Sequence, residues 1–599
     1  MEIRERHDHD VLVIGAGGAG LRAAIAAHDA GASVGLVCKS LLGKAHTVMA
    51  EGGIASALGN VRSEDNWRVH FRDTMRGGKG LNDWRMARIH AQEAPDRVRE
   101  LEEWGALFDR TEDGRMNQRP FGGHQYARLA HVGDRTGLEM IRTLQDHAVH
   151  EGVAVYMECT VIRLFKSGDR VVAALAYWRP TGEFALFRAK SIVLATGGIG
   201  KAWKVTSNSW EYTGDGVAMA YEVGADLLGM EFVQFHPTGM VWPPSVRGTL
   251  VTEGVRGEGG VLTNSDGERF MFRYVPEMFQ GDYAESEEEA DRWVAGERGD
   301  NRRPPELLTR DVVAKAIVSE IEAGRGSPHG GAYLNIAIKQ SPEYIRKKLP
   351  SMYHQFKELA GVDITVDPME VGPTTHYVMG GILVEPETAE STVSGLYAAG
   401  EVAAGLHGGN RLGGNSLSDL VVFGRRAGEA AAAAALAISG FGDVAEAAIE
   451  SVIDEANAPF QREGGHNPFV VQAELQSVMQ DKVGIARTAE GLEEAIQDIR
   501  ALRSSLKACS VPGERAYNPA WNTWLDLHSL VLVSEAVAIS ALAREESRGA
   551  HTRLDFPDSS PELGKNNTIV REHDGRMITL RDPVPAPPEE LQRLIEEGV

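Results

Sequence analysis

The chain has 599 residues, of which 43% are hydrophobic and 25% charged, the balance of a large globular protein and not of a disordered or membrane-embedded one. Lysine and arginine number 62 against 85 aspartates and glutamates, a net charge of −23, which argues against nucleic acid because a phosphate backbone needs a basic face. Glycine is in excess at 67 residues, against a usual share of about 7%, so part of the chain needs backbone that comes close to a ligand or turns through positive φ.

The segment Met1–Asp10 (MEIRERHDHD) is charged and has no apolar core, so it does not read as a secretory signal, and the chain is expected in the cytoplasm. Val11–Ile14 is a short apolar run followed by Gly15-Ala16-Gly17-Gly18-Ala19-Gly20, an Ala-rich stretch to Ala30 and a second apolar run, Ser33–Val37. That order predicts strand, turn, helix, strand, with the glycines allowing backbone N–H groups to meet a pyrophosphate at the helix N-terminus. The second strand ends in Cys38-Lys39-Ser40, without the acidic residue that an NAD site places on the ribose, which lowers the NAD reading.

Further along, Ser191–Ala195 is a buried-strand run ending in Thr196-Gly197-Gly198, and Thr213-Gly214-Asp215-Gly216 precedes another apolar helix. Gly395–Gly400 (GLYAAG), with Glu401 after it, repeats the pattern, and Gly413-Gly414-Asn415-Ser416-Leu417 follows. Glycine-rich strand ends spread over four hundred residues predict one sheet built from distant segments. The expected fold is α/β: a discontinuous Rossmann-like dinucleotide domain at 8–237 and 354–438, an inserted α+β capping domain at 238–353, a helical domain at 439–546 and a small C-terminal region at 547–599.

Within the insert, Glu277–Asp300 carries nine carboxylates against Arg292 and Arg298 and reads as a solvated surface excursion. Gly442–Lys507 is polar and amphipathic, and the proline-rich tail before a short acidic helix reads as a strap for a neighbour's surface. No apolar run approaches 18 residues, so nothing is expected to span a bilayer; Ala430–Ala435 is a helix former beside Glu429. Cys38, Cys159 and Cys509 are far apart and form no CxxC pair, which excludes a zinc site, an iron–sulfur cluster within this chain and a disulfide framework.

Six strings carry a resemblance. They are Lys44–Ile54 (KAHTVMAEGGI), Met230–Gly239 (MEFVQFHPTG), Leu250–Gly260 (LVTEGVRGEGG), Glu306–Ile317 (ELLTRDVVAKAI), Pro373–Gly381 (PTTHYVMGG) and His407–Asp419 (HGGNRLGGNSLSD). In this order they resemble the flavoprotein subunits of succinate dehydrogenase and fumarate reductase, strongly from about His9 to Leu420 and more weakly through Ser547–His551. The resemblance implies FAD bonded covalently to His46, with Gly15, Ala16, Gly17, Gly18, Ala19 and Gly20 as the pyrophosphate loop. It assigns further FAD contacts to Lys39, Thr47, Gly52, Gly53, Asp215, Glu401, Ser416 and Leu417.

By the same resemblance, His236, Thr252, His376 and Arg411 clamp a C4 dicarboxylate, succinate or fumarate. Arg310 transfers the proton, relayed by Glu253 and Arg256. A dianion needs donors at both ends, and planar bidentate arginine suits a carboxylate. The implied partners are an iron–sulfur subunit, which holds the clusters this chain lacks, and membrane anchor subunits. The chain would then lie peripherally on the cytoplasmic face of a membrane. Alternatives are fumarate reduction as the working direction, a soluble L-aspartate oxidase with noncovalent FAD, and a flavin relay with no substrate of its own. Two positions depart from the family: Val255 stands where cysteine is frequent, and Glu51 replaces the glutamine of dehydrogenase members. A carboxylate at Glu51 is expected to lower the flavin's potential.

Overall fold

The computed structural model describes residues 3–297, 299 and 301–597. Met1, Glu2, Arg298 and Asp300, which entered the readings above, lie outside the described residues. The apolar run Val11–Ile14 is buried and ends the strand Glu5–Ile14. It lies between two parallel neighbours, pairing Val11 with Val34 and Ile14 with Val37 on one side, and Val11 with Ser191 and Ile14 with Leu194 on the other. The strand Leu396–Ala398 then joins Ile192–Leu194, again in parallel. A hairpin, Cys159–Ser167 with Arg170–Trp178, extends the sheet beyond Phe184–Leu194, and Ala154–Tyr156 closes the opposite edge.

This register settles where a ligand can sit. Gly15, Ala195-Thr196 and Ala399-Gly400 follow strands that end side by side, so three segments nearly four hundred residues apart meet at the carboxyl edge of one sheet. The helices Gly18–Asp29 and Asn415–Leu436 pack on each other against this sheet. They approach closely: a Cβ on Gly428 would fall 2.2 Å from the Ala23 carbonyl oxygen.

The inserted region has its own core, with Phe270, Met271, Leu334, Ile345, Phe356, Met369 and Val371 buried together. Its sheet runs Val233–Met240, Met369–Val378, Ala332–Asn335, Val261–Thr263. The helix Pro350–Leu359 crosses position 353, and Phe356, Ile364 and Met369 beyond it belong to the insert's core. In the acidic segment, the helix Glu287–Val294 starts at Ser286, whose side chain accepts from Glu289 N–H, and turns Ala290 and Trp293 inward. Arg302 pairs with Glu285 and Glu289, and Arg269 with Asp291. The excursion is therefore only partly a solvated face.

The helical region stacks Pro468–Lys482, Ala489–Lys507 and Pro519–Ala543, the last two started by Thr488 and Asn518 side chains that accept from Gly491 and Trp521 N–H. Pro519–Ala543, with mean hydropathy 1.6 over its most apolar stretch, is long and apolar enough by composition alone to cross a membrane, which the sequence reading overlooked. It is a core helix: Trp521, Trp524, Leu527, Leu530, Val533 and Val537 are buried. The tail also differs from expectation. Asn566–His573 pairs with Leu227–Leu228 and with Arg576–Pro583, and the final helix, Glu589–Glu597, lies on Trp67–Gly77, where Arg76 Nε donates to the Ile595 carbonyl at 2.9 Å. The prolines lead it back onto its own chain.

Candidate active site

A cleft enclosing about 1340 Å³, its mouth included, opens along the carboxyl edge of the parallel sheet. Gly15–Ala19 and the start of the helix Gly18–Asp29 form its floor, Lys39 and Asp215 one end, and His46, Tyr212, His376 and Arg411 another stretch of wall. Thr47, Glu401, Ser416 and Leu417 also line it. Gly18 N–H reaches Thr47 Oγ1 at 3.2 Å, tying the glycine turn to the His46–Met49 turn. At Gly20 any side chain is excluded, since a Cβ would lie 1.7 Å from the Gly15 carbonyl oxygen. An elongated cleft with a glycine turn at a helix N-terminus suits the pyrophosphate of FAD. Gly20→Ala is expected to fold with its helices largely intact and to lose bound flavin; a variant that keeps stoichiometric flavin absorbance after gel filtration would sink that expectation.

His46 sits against Tyr212, ring centroids 4.6 Å apart and edge-on. Ser209 N–H donates to its Nδ1 at 3.3 Å, and the Asn208 amide lies 3.3 Å from its Nε2. Burial lowers its pKa to about 4, so the imidazole is neutral with a nitrogen lone pair available. Gly52 and Gly53 follow, and Arg119 clamps the turn through Nε to Gly52 O (2.7 Å) and Nη2 to Glu51 O (2.5 Å).

The Glu51 carboxyl is enclosed, its Oε2 without a hydrogen-bond partner among the described residues. Burial first, and then Asp134 nearby, push its pKa well above the usual carboxylate range, outweighing Arg119. Enclosure therefore works against the negative charge expected here. An acid raised in the folded state costs nothing below its unfolded pKa, near 4.5, and progressively more above it. Glu51→Gln is therefore expected to raise the denaturation midpoint at pH 8, with a gain that shrinks towards pH 5. An equal gain at both pH values would show that the carboxyl was ionised all along.

The strands Val233–Met240 and Met369–Val378 run antiparallel and bring His236 and His376 to 5.1 Å between ring centroids. Both imidazoles lie far below their usual pKa, through burial and then the nearby Arg310 guanidinium. His376 Nδ1 meets Ser207 Oγ at 2.9 Å, and His236 Nδ1 meets Thr238 N at 3.2 Å. A Ser207 hydroxyl that donates leaves the His376 proton on Nε2, the tautomer able to donate to a carboxylate, whereas His236 Nδ1 also lies 3.0 Å from the Thr238 carbonyl, which only accepts and draws the proton of that ring to Nδ1. Thr252, next to Glu253 in the chain, is buried, its Oγ1 accepting Gly254 N–H at 3.3 Å.

Arg310 begins the helix Arg310–Glu322. Its Nε donates to Glu253 Oε2 at 2.9 Å, while Glu253 Oε1 accepts Gly122 N–H at 2.8 Å. Burial alone would raise the Glu253 pKa, but Arg310 and Arg256 bring it below the usual value. Arg256 Nη2 stands 3.7 Å from Glu253, and its Nη1 donates to the Glu306 carbonyl. Burial, followed by the like charge of Arg310, lowers Arg411 to about 10; its Nη1 donates to Ser416 Oγ at 2.6 Å, and its guanidinium lies 4.2 Å over the Tyr377 ring.

Sequence reasoning missed Gln234, which joins the two arginines. Its Oε1 accepts from Arg310 Nη1 (3.2 Å) and Arg411 Nη2 (3.1 Å), and its Nε2 donates to Asn410 Oδ1 and Arg411 O. Ser207, Asn208, Tyr212 and Tyr377 were missed as well. For Gln234 and Tyr377 the signal available was position: each lies inside one of the quoted strings, two residues or fewer from a histidine.

Two family models match the chain, FAD binding domain over residues 10–417 and fumarate reductase flavoprotein C-term over 472–585. The chain is 44% identical over 578 residues to a fumarate reductase (CoM/CoB) subunit of Methanothermobacter marburgensis, covering 96% of this chain and 99% of the relative. It is 37% identical to the succinate dehydrogenase flavoprotein subunit of Rickettsia bellii, over 96% and 94% of the two chains. Among solved structures, Mycobacterium smegmatis Sdh1 in complex with UQ1 superposes with TM-score 0.85 at 52% identity, covering 98% of this chain and 96% of that one. A mutated E. coli quinol fumarate reductase FrdA gives 0.89 at 33% identity, covering 98% and 99%. The cleft, the glycine turn and these relatives together identify the chain as an FAD-binding oxidoreductase of the succinate dehydrogenase and fumarate reductase flavoprotein family.

Proposed function

We propose that this chain is the catalytic flavoprotein subunit of a succinate:quinone oxidoreductase, oxidising succinate to fumarate with FAD bonded covalently to His46. It passes electrons to an iron–sulfur subunit seated on a membrane anchor, and so lies peripherally at the cytoplasmic face of the membrane. The observation that carries this reading is the convergence of Arg310, Arg411, His236 and His376 beside the wall of the FAD cleft that holds His46. A relay without a substrate has no use for two arginines and two imidazoles there.

FAD, when bound, supplies the two-electron acceptor. The chain's own residues do the rest. Arg411 takes one carboxylate as a planar donor, and its Nε, which has no partner among the described residues, is available for it. His236, His376 and Thr252 hold the other end as uncharged groups. Holding both ends fixes the substrate's carbons, and positioning of this kind lowers a barrier by roughly 7–11 kcal/mol. As succinate loses its proton, Arg310 takes it in exchange for one passed from its Nε to the anionic Glu253, which hands that proton on towards Arg256. Val255 takes no part in this path; it packs, fully buried, in the insert's core.

Flavin fluorescence on the 64.9 kDa band after denaturing electrophoresis tests the covalent bond and separates this reading from an L-aspartate oxidase with noncovalent FAD. Fumarate reduction as the working direction is a second reading, favoured by the name of the methanogen relative. Comparing succinate–quinone with quinol–fumarate turnover in the native complex decides between the directions.

A further inference from the structure

Dinucleotide folds usually carry an acid at the end of the second strand, where it accepts from the adenosine ribose. Here that strand, Val34–Val37, is followed by Cys38-Lys39-Ser40, with a cation where the acid is expected. Lys39 lines the cleft with its ammonium held from within the protein. Its three protons go to Thr213 Oγ1 (2.9 Å), Asp215 Oδ2 (2.9 Å) and Asp526 Oδ1 (2.6 Å). Burial would strip the charge from this ammonium, but the two carboxylates hold its pKa above the usual lysine value.

The carboxylates differ in how they are engaged. Asp215 accepts at both oxygens, its Oδ1 taking the Thr213 hydroxyl at 2.9 Å. Among the described residues nothing donates to Asp526 Oδ2. Asp526 comes from the helix Pro519–Ala543, 487 positions from Lys39, and lines a second cavity of about 590 Å³. That cavity shares Thr160, Val161, Asp215 and Met219 with the FAD cleft. The two spaces therefore meet where the second strand ends, the place of adenosine in such folds.

We propose that Asp526 is the ribose acid of this site, delivered to the adenosine end of the FAD cleft by the helical region, and that Lys39 is the positioning residue that holds it with one carboxylate oxygen free for a ribose hydroxyl. The proposal rests on FAD binding but not on the covalent bond or the substrate. It makes the helix Pro519–Ala543 part of the cofactor site.

The test uses full-length apoprotein carrying His46→Ala, which can hold flavin only noncovalently, titrated with FAD, ADP and FMN. ADP carries the adenosine half without flavin, and FMN the flavin half without adenosine. Asp526→Asn is expected to weaken FAD and ADP by about tenfold or more while leaving FMN unchanged, and Asp526→Glu to recover part of the loss. FAD and ADP affinities within about twofold of the parent would overturn the proposal. So would an equal loss for FMN, which marks a purely structural role. A parent that binds ADP but not FAD faults the flavin reading alone, because its ADP titrations still decide the role of Asp526.

Discussion

Succinate turnover of the Arg310→Ala variant is expected to fall by about 10⁴-fold, the upper range for a general acid or base, with its flavin content unchanged. The separation follows from position: Arg310 does not line the FAD cleft, whereas Arg411 does. Arg310 is 8% exposed as a residue, and its guanidinium is held by Glu253 and Gln234. Removing it leaves Glu253 buried with Arg256 as its remaining ionic neighbour, at 3.7 Å, and one-sided deletion of such a pair can cost about 3–5 kcal/mol. Thermal unfolding should therefore be measured with turnover, to separate lost chemistry from lost folding. Arg310→Lys keeps a charge but offers one nitrogen where the arginine serves Glu253 and Gln234 through two, so it is expected to rescue stability more than rate. Turnover of the folded alanine variant within tenfold of the parent would remove Arg310 from proton transfer.

The second large effect belongs to His46. His46→Ala is expected to lose all flavin fluorescence from the denatured band while the native protein still binds FAD through the glycine turn. Losing an electron-withdrawing bond makes a flavin less oxidising. For a two-electron couple each fall of about 30 mV shifts the equilibrium tenfold, so succinate oxidation should suffer far more than fumarate reduction. The measurement is a flavin midpoint potential together with both rates. Persistent covalent flavin would mean that another residue carries it, and equal losses in both directions would point to misplacement of the ring.

The fold was legible wherever local patterns were strong. A β-branched run before a glycine turn can do little except end a strand at a ligand, and three such signals placed the sheet and the cleft edge. The strings around His236, Arg310, His376 and Arg411 pointed to residues that the chain does bring together. What stayed hidden depended on distance or burial. Gln234 is a plain amide whose importance lies in touching two arginines, and Asp526 is one acid in a long apolar helix until Lys39 is seen against it. The charge state of Glu51 is set by enclosure, which no residue type reports. The helix Pro519–Ala543 was under-read because Asp526, His528 and Glu535 interrupt its apolar letters, and the tail because proline-rich segments look alike whether they dock at home or elsewhere.

The cleft takes its floor from Gly15 and its last wall residue from Leu420, and the strand Leu396–Ala398 completes its edge. A ribosome adds about 5–20 residues per second, so roughly 20 s or more separate the synthesis of those two walls. During that interval the growing chain has a glycine turn but nowhere to keep a cofactor. Flavin loading therefore waits until the strand Leu396–Ala398 and Leu420 have been made.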